Sequence, residues 1–382
     1  NCHFELLCEA SMTKALQCKV IRMETLAEKS LVEKDLIDLA NQYLPDNIQL
    51  GDAISVEPLS GDAGFRHYYR LATEPSVLGV SAAPDREDWV AFMRVSSLLS
   101  SLGICVPAIY AADLHSGTLL IEDLGDKLYQ DVLIEKKGKP EVQQLYQNAI
   151  EALHIINCCE NRPAWLPRYS DGLLRQEMEL FPSWFVKKLL DYSVNAEEAH
   201  LISFSFDYLV AQALDQPKVL VHRDYHCRNL LHTDDKGPGV IDFQDAVWGP
   251  VTYDLVSISR DCYVRWEISQ VDKVRDEFAA RLLQNKIISE GSVASFPNWF
   301  ECMSAQRHLK VLGIFARLAL RDGKTDYLEN LPLALRYLLE ACERVSELEP
   351  LGEWIKSTLV PRMESQPWYI DWTEAGNEVT VW

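Results

Sequence analysis

Between positions 222 and 242 the chain sets a histidine, an arginine, two aspartates and an asparagine at spacings that could do chemistry. His222, Arg223 and Asp224 are consecutive, Asn229 follows five positions after the aspartate, and Asp242 comes thirteen positions later. A pattern H-R-D-x-x-x-x-N with a later aspartate suits phosphoryl transfer. One carboxylate must accept or orient the proton of an attacking hydroxyl, while an amide oxygen and a second carboxylate hold a hard cation against phosphates. Asp224 is assigned the first role as the catalytic residue, and Asn229 and Asp242 the second as ligands of Mg²⁺. Asp245, in the same stretch, is a candidate for reaching the metal or the substrate.

The flanking residues must bring these groups together. Lys218-Val-Leu-Val-His222 reads as a strand, Leu230-Leu231 begins another, and a turn over 234–239 leads into Val240-Ile241. Two short strands joined by that turn would place Asn229 near Asp242. Upstream, the pattern predicts a helix over 24–44 and strands over 54–59, 65–71 and 76–80, with Gly61 and Gly64 in a loop able to lay backbone N–H groups over phosphates. A helix capped by Asp85 and carrying Trp89, Phe92, Met93, Leu99 and Leu102 on one face should end at Gly103. A hairpin over 108–112 and 118–122 then ends at Glu122 and Leu124. We divide the chain into an extension (1–22), a strand-rich lobe (23–124), a mainly helical lobe (125–365) with Pro167, Pro182, Pro217 and Pro297 at its joints, and a tail (366–382). The fold class expected is α+β.

Composition narrows the partners. The 382 residues are 48% hydrophobic and 25% charged, with a formal net charge of −20 and a pI near 4.9. Such a chain is an ordinary globular protein whose long-range field repels phosphates, which argues against nucleic acid or anionic membranes as partners. Ten cysteines are scattered without metal-binding spacing, so neither zinc nor structural disulfides are expected. No run reads as a membrane span or signal peptide, and a cytoplasmic location is expected.

The motifs also carry a family resemblance. Gly61-Asp-Ala-Gly-Phe-Arg-His-Tyr-Tyr-Arg70, Leu120-Ile-Glu-Asp-Leu-Gly125, the stretch around Asp224, and Gly249-Pro-Val-Thr-Tyr-Asp-Leu255 together resemble the aminoglycoside-phosphotransferase-like superfamily. With Arg307-His-Leu-Lys310 and the residues up to Arg317, they are most similar to its bacterial N-acetylmuramate/N-acetylglucosamine kinases of peptidoglycan recycling. This resemblance spans about residues 50–345 and implies a protein-kinase-like bilobal fold, ATP and Mg²⁺ as cofactors, and a small amino sugar phosphorylated at its anomeric hydroxyl to the α-1-phosphate. It makes Glu122 and Leu124 the hinge whose backbone meets adenine, and implies no obligate protein partner.

One departure stands out: Ser76-Val-Leu-Gly-Val-Ser-Ala-Ala83 lacks the third-strand lysine that grips the α- and β-phosphates in protein kinases. Arg66 or Arg70 is the candidate replacement. Arg260, Asp261 and His308 are candidates for contacts with sugar hydroxyls. Two other functions fit the same motifs, an aminoglycoside or other small-molecule hydroxyl kinase and a nucleotide-binding pseudokinase.

Overall fold

The computed structural model describes residues 30–50, 55–59, 66–233 and 237–382. The predicted glycine loop with Gly61 and Gly64, the extension 1–22 and part of the 234–239 turn lie outside the described residues. Contacts divide the chain into two units, one taking residues up to Ser96 with Pro107–Leu124, the other Ser97–Val106 with Gly125–Trp382.

The first unit is an antiparallel sheet with a helix packed on it. Helix α1 (30–43) precedes strand β1 (Gln49–Leu50), followed by β2 (Val56–Pro58), β3 (His67–Leu71), β4 (Thr73–Glu74) and β5 (Val77–Ser81). Helix α2 (Trp89–Ser101) then leads to β6 (Ile109–Asp113) and β7 (Thr118–Glu122). The five-stranded sheet runs β2-β3-β5-β7-β6, and β1 pairs separately with β4. Leu36 of α1 fills the place of a missing side chain on β5: a Cβ on Gly79 would stand 2.7 Å from its Cδ1. Leu36, Leu39, Tyr69, Leu71, Val77 and Leu120 share the resulting core. Asp88, rather than the predicted Asp85, caps α2, accepting the Ala91 N–H at 2.9 Å. Gly103, at φ +81°, ends that helical segment as the sequence predicts.

The second unit is mainly helical, with two short antiparallel strand pairs set into it. Helices α3 (Tyr129–Glu135), α4 (Pro140–Asn157) and α5 (Asp171–Met178), a π-helical turn Phe181–Leu189 and α6 (Ala196–Asp215) precede the strands. Asn195 and Glu198 form a reciprocal capping box at the start of α6. Strand β8 (Lys218–Val221) pairs with β11 (Val247–Pro250), and β9 (Leu230–His232) with β10 (Pro238–Val240), both antiparallel. Helices α7 (Tyr253–Ser259), α8 (Ile268–Gln284), α9 (Glu290–Asp322) and α10 (Leu331–Arg344) follow. Pro297, predicted at a joint, sits inside α9, which continues past it. Residues near 380 are packed within this unit: the Trp382 ring stacks on Tyr146 at 5.3 Å, and Val381 N–H donates to the Arg265 carbonyl at 2.9 Å.

Helix α9 is the axis of the unit, buried on all sides from Trp299 to Gly313. It approaches the chain at Leu180 so closely that a Cβ on Gly313 would lie 2.3 Å from the Leu180 carbonyl carbon. Backbone cannot move aside as a flexible side chain does, so overpacking outweighs the better helix propensity of alanine. Gly313→Ala is expected to lower the unfolding free energy by about 1–3 kcal/mol in urea titrations. Gly291→Ala, on the same helix with only Ser289 Oγ at 3.8 Å, should be neutral or stabilising.

Candidate functional site

His222, Arg223 and Asp224 leave the end of β8, and Asn229 closes a single 3₁₀ turn, Cys227–Asn229, before β9. The loop between them is clamped by one carboxylate. Asp254, buried in the first turn of α7, accepts the His222 N–H at 2.6 Å and the Arg223 N–H at 3.0 Å. The His222 ring ties the loop to the second hairpin: its Nε2–H donates to the Ile241 carbonyl at 3.0 Å, which leaves Nδ1 to accept the Asp224 N–H at 3.3 Å. From the other side, Asp261 accepts the Cys227 N–H at 2.8 Å. Arg223 and Asp242 both adopt left-handed backbone, at φ +78° and +62°. For residues with a Cβ this is strained, and it persists only where the surroundings over-determine it.

The β9–β10 register brings the two proposed metal ligands together. Leu230 pairs with Val240, and the Ile241 N–H donates to the Asn229 carbonyl at 3.1 Å, so Asp242 follows directly beside Asn229. Asn229 Nδ2 donates to the Asp224 carbonyl at 2.9 Å, which makes Oδ1 the end of the amide that faces other partners. Gln244 Nε2 donates to Asp242 Oδ1 at 3.2 Å. The described residues hold no cluster of three or more His, Cys, Asp or Glu able to bind a metal. A pair of hard oxygen donors fits Mg²⁺, which takes one or two protein ligands and leaves the rest to phosphate and water.

Behind Asp224 lies a buried charge network that local sequence did not reveal. Glu177 on α5 accepts from Arg223 Nη2, the Tyr169 hydroxyl and Gln306 Nε2, and its Oε1 is 3.4 Å from Lys310 Nζ. Lys310 also donates to the Tyr253 hydroxyl at 3.1 Å. Arg307, one turn before it on α9, places Nη1 4.0 Å from Asp224 Oδ1. The Asp224 side chain keeps 36% of its surface exposed. Its surroundings alone would raise the carboxyl, but Lys310 and Arg307 hold it well below the ordinary aspartate range. Asp224 is therefore an anion at neutral pH, a weak base suited to aligning a hydroxyl. The available sequence signal was a set of charges, Glu301, Arg307 and Lys310, within a helix buried on every face.

Other predicted positions have different surroundings. Arg260 pairs with Glu301 at 2.7 Å, with 1% and 5% of their side chains exposed, and Glu301 also receives Arg344 at 3.0 Å. His308 is fully buried, and its pKa is pushed down to about 3 by burial and by Arg307. The ring stands between two backbone carbonyls, Ser304 at 2.7 Å from Nδ1 and Arg260 at 3.1 Å from Nε2, with the Ser304 hydroxyl 3.3 Å from Nδ1. Asp261 is wholly buried, accepting from Cys227 and Tyr263. All three side chains are buried and bonded within the second unit. Asp245 is exposed at its side chain, while its carbonyl accepts Arg223 Nη1 at 3.2 Å.

In the first unit, Arg70 makes a two-pronged contact with Asp123, at 2.7 and 3.3 Å, and Ser76 Oγ donates to the same carboxylate. Arg66 lies 3.6 Å from Glu87, each with 10% of its side chain exposed. Glu122 ends β7, with its N–H donating to the Ala108 carbonyl at 2.8 Å, and Leu124 is half-buried just beyond it.

Removing the charge of Glu177 would leave buried Arg223 and Lys310 uncompensated. Glu177→Gln is expected to lower stability by about 3–5 kcal/mol. Burial would raise the Glu177 carboxyl, yet Lys310 and Arg223 hold it below the usual glutamate value. With the folded-state value depressed, its stabilisation is complete at neutral pH and is lost on acidification. The gap between wild type and variant in denaturant titrations should narrow below about pH 4.3.

Residues 55–291 match the phosphotransferase enzyme family APH. An N-acetylmuramate/N-acetylglucosamine kinase of Pseudomonas aeruginosa is 39% identical over 301 residues, covering 78% of this chain and 87% of the relative. One of Neisseria meningitidis is 36% identical over 294 residues, covering 76% and 87%. Among solved structures, a choline kinase from Cryptosporidium parvum superposes with a TM-score of 0.57 at 14% identity, covering 85% of this chain and 99% of its own. An ethanolamine kinase from Plasmodium vivax gives 0.52 at 13%, covering 76% and 82%. These superpositions establish the α+β, protein-kinase-like fold. The matched segment contains the clamped loop, Asn229 and Asp242, and the chain belongs to the APH phosphotransferase enzyme family.

Proposed function

We propose that this phosphotransferase moves the γ-phosphoryl group of ATP to the anomeric hydroxyl of N-acetylmuramate or N-acetylglucosamine, giving the sugar α-1-phosphate for cell-wall recycling. The observation that carries the reading is a partly exposed Asp224, held anionic by Arg307 and Lys310 on a loop clamped by Asp254. So weak a base suits an acceptor hydroxyl more acidic than an ordinary alcohol, and an anomeric hydroxyl is one. The names of the relatives at 36–39% identity supply the sugars.

In this reading Asp224 accepts a hydrogen bond from the anomeric hydroxyl and aligns its oxygen with the γ-phosphorus. The new O–P bond forms as the bond to the ADP oxygen breaks, and the hydroxyl proton passes to Asp224 and then to solvent. Asn229 Oδ1 and the Asp242 carboxylate would hold Mg²⁺, which neutralises charge on the nucleotide phosphates when bound. Positioning and electrostatics supply most of the rate gain. The backbone at Glu122 and Leu124 would meet the adenine edge. Arg66, paired with Glu87 just before α2, is the candidate for the work that a Lys–Glu pair does in protein kinases. Arg70 is engaged with Asp123 and is the weaker candidate.

Asp224→Asn should cut kcat by about a thousandfold or more while leaving the Kd for nucleotide within a few-fold, as read by coupled assay and calorimetry. The methyl α-glycoside of N-acetylglucosamine, whose C1 oxygen is blocked, should be inert as an acceptor. Turnover of that glycoside would contradict the anomeric assignment, and retained turnover in Asp224→Asn would contradict the role of the aspartate.

A further inference from the structure

Three arginines among the described residues are buried, Arg260, Arg265 and Arg307, and they are not partnered alike. Arg260 donates to Glu301 and Arg265 to Glu340, each at 2.8 Å. Arg307 donates no hydrogen bond to any described residue, and its Nε is enclosed without a partner. The one ion pair it makes among those residues, from Nη1 to Asp224 Oδ1, spans 4.0 Å, beyond hydrogen-bond reach. The Tyr253 ring, 5.9 Å from the guanidinium carbon, walls one side, and its hydroxyl already accepts from Lys310. An ionised group with five N–H donors is costly to bury with those donors unmet. Such a group in a native protein calls for a ligand that supplies the acceptors.

Charge and position define that ligand. Lys310, one turn further along α9, is answered by Glu177 at 3.4 Å, so Arg307 is the less compensated of the two cations acting on Asp224. A planar guanidinium suits anions that offer several oxygens, above all carboxylates and phosphates. A hydroxyl bonded to Asp224 at about 2.7 Å attacks phosphorus from about 3 Å. The oxygens of the phosphoryl group then come within reach of a guanidinium 4.0 Å from the same carboxylate. During transfer the charge of that group spreads over its three equatorial oxygens, where fixed donors act most strongly.

We propose that Arg307 is a catalytic residue, donating hydrogen bonds to the equatorial oxygens of the phosphoryl group as it passes from ATP to the hydroxyl held by Asp224. It acts this way only if Asp224 aligns the acceptor as described above; the guanidinium keeps its protons and forms no covalent bond. Arg307→Gln removes the charge, and Arg307→Lys keeps the charge without the planar fork. Calorimetry measures their affinity for MgADP with aluminium fluoride, a mimic of the phosphoryl group in flight, and for MgADP alone. Arg307→Gln should bind the mimic about a hundredfold less tightly and Arg307→Lys about tenfold, with MgADP affinity within about twofold of wild type. On N-acetylglucosamine, kcat should fall by the same factors while the KM values stay within about threefold. Wild-type affinity for the mimic in Arg307→Lys, which also serves if Arg307→Gln fails to fold, would overturn the contact, as would equal losses for mimic and MgADP. A raised KM for N-acetylmuramate alone, with kcat on N-acetylglucosamine intact, would assign Arg307 to the lactyl carboxylate and overturn it too. Binding of the mimic needs no turnover, so a wild type inert on both sugars would sink the sugar-kinase reading while the mimic affinities, measured without sugar, still decide for or against Arg307.

Discussion

One buried carboxylate sets the geometry on which the site depends. Asp254 takes the N–H groups of both His222 and Arg223, and no other residue type offers two anionic acceptors so compactly at the start of a helix. Accepting both forces the chain to turn sharply, which accounts for Arg223 at φ +78°. The turn sends the Arg223 side chain back to Glu177 and leaves Asp224 facing outward with part of its carboxylate exposed. Asp261 and the His222 ring fix the far side of the loop. The α7 helix therefore acts as the anvil against which the catalytic loop is shaped.

A second constraint is electrostatic. The chain carries a formal net charge of −20, yet the charges that act most strongly on the Asp224 carboxylate are cations, Lys310 and Arg307. Buried cations are costly unless compensated, and Glu177 is the compensation, shared among Lys310, Arg223 and Tyr169. The result is a local positive field inside an acidic protein, where a carboxylate stays ionised and an anionic phosphoryl group meets less repulsion than the net charge suggests.

The sequence carried much of this because some of it is local. The spacing from His222 to Asn229 and on to Asp242 reflects one loop and one hairpin, whose strands also showed in their apolar runs. The sheet of the first unit was legible for the same reason, each strand bounded by turn residues and Gly117 sitting at φ +72° in the predicted β6–β7 turn. Long-range pairing was not legible. Nothing in the run Asp171–Met178 separates Glu177 from a solvated acid on a helix, because its partner Arg223 is 46 positions away. The bonds of Arg260 to Glu301 and of Asp261 to Cys227 likewise span 41 and 34 positions. Asp85 and Asp88 both suit a cap by type, and only the backbone path decides for Asp88.

Proton-coupled ³¹P NMR of the purified protein with MgATP and each amino sugar distinguishes transfer to the anomeric oxygen from transfer elsewhere on the ring. A new phosphate resonance coupled to a single anomeric proton is expected, with ADP formed in equal amount. A phosphate coupled instead to the C6 methylene protons, or ATP consumed with no sugar ester at all, would contradict anomeric transfer.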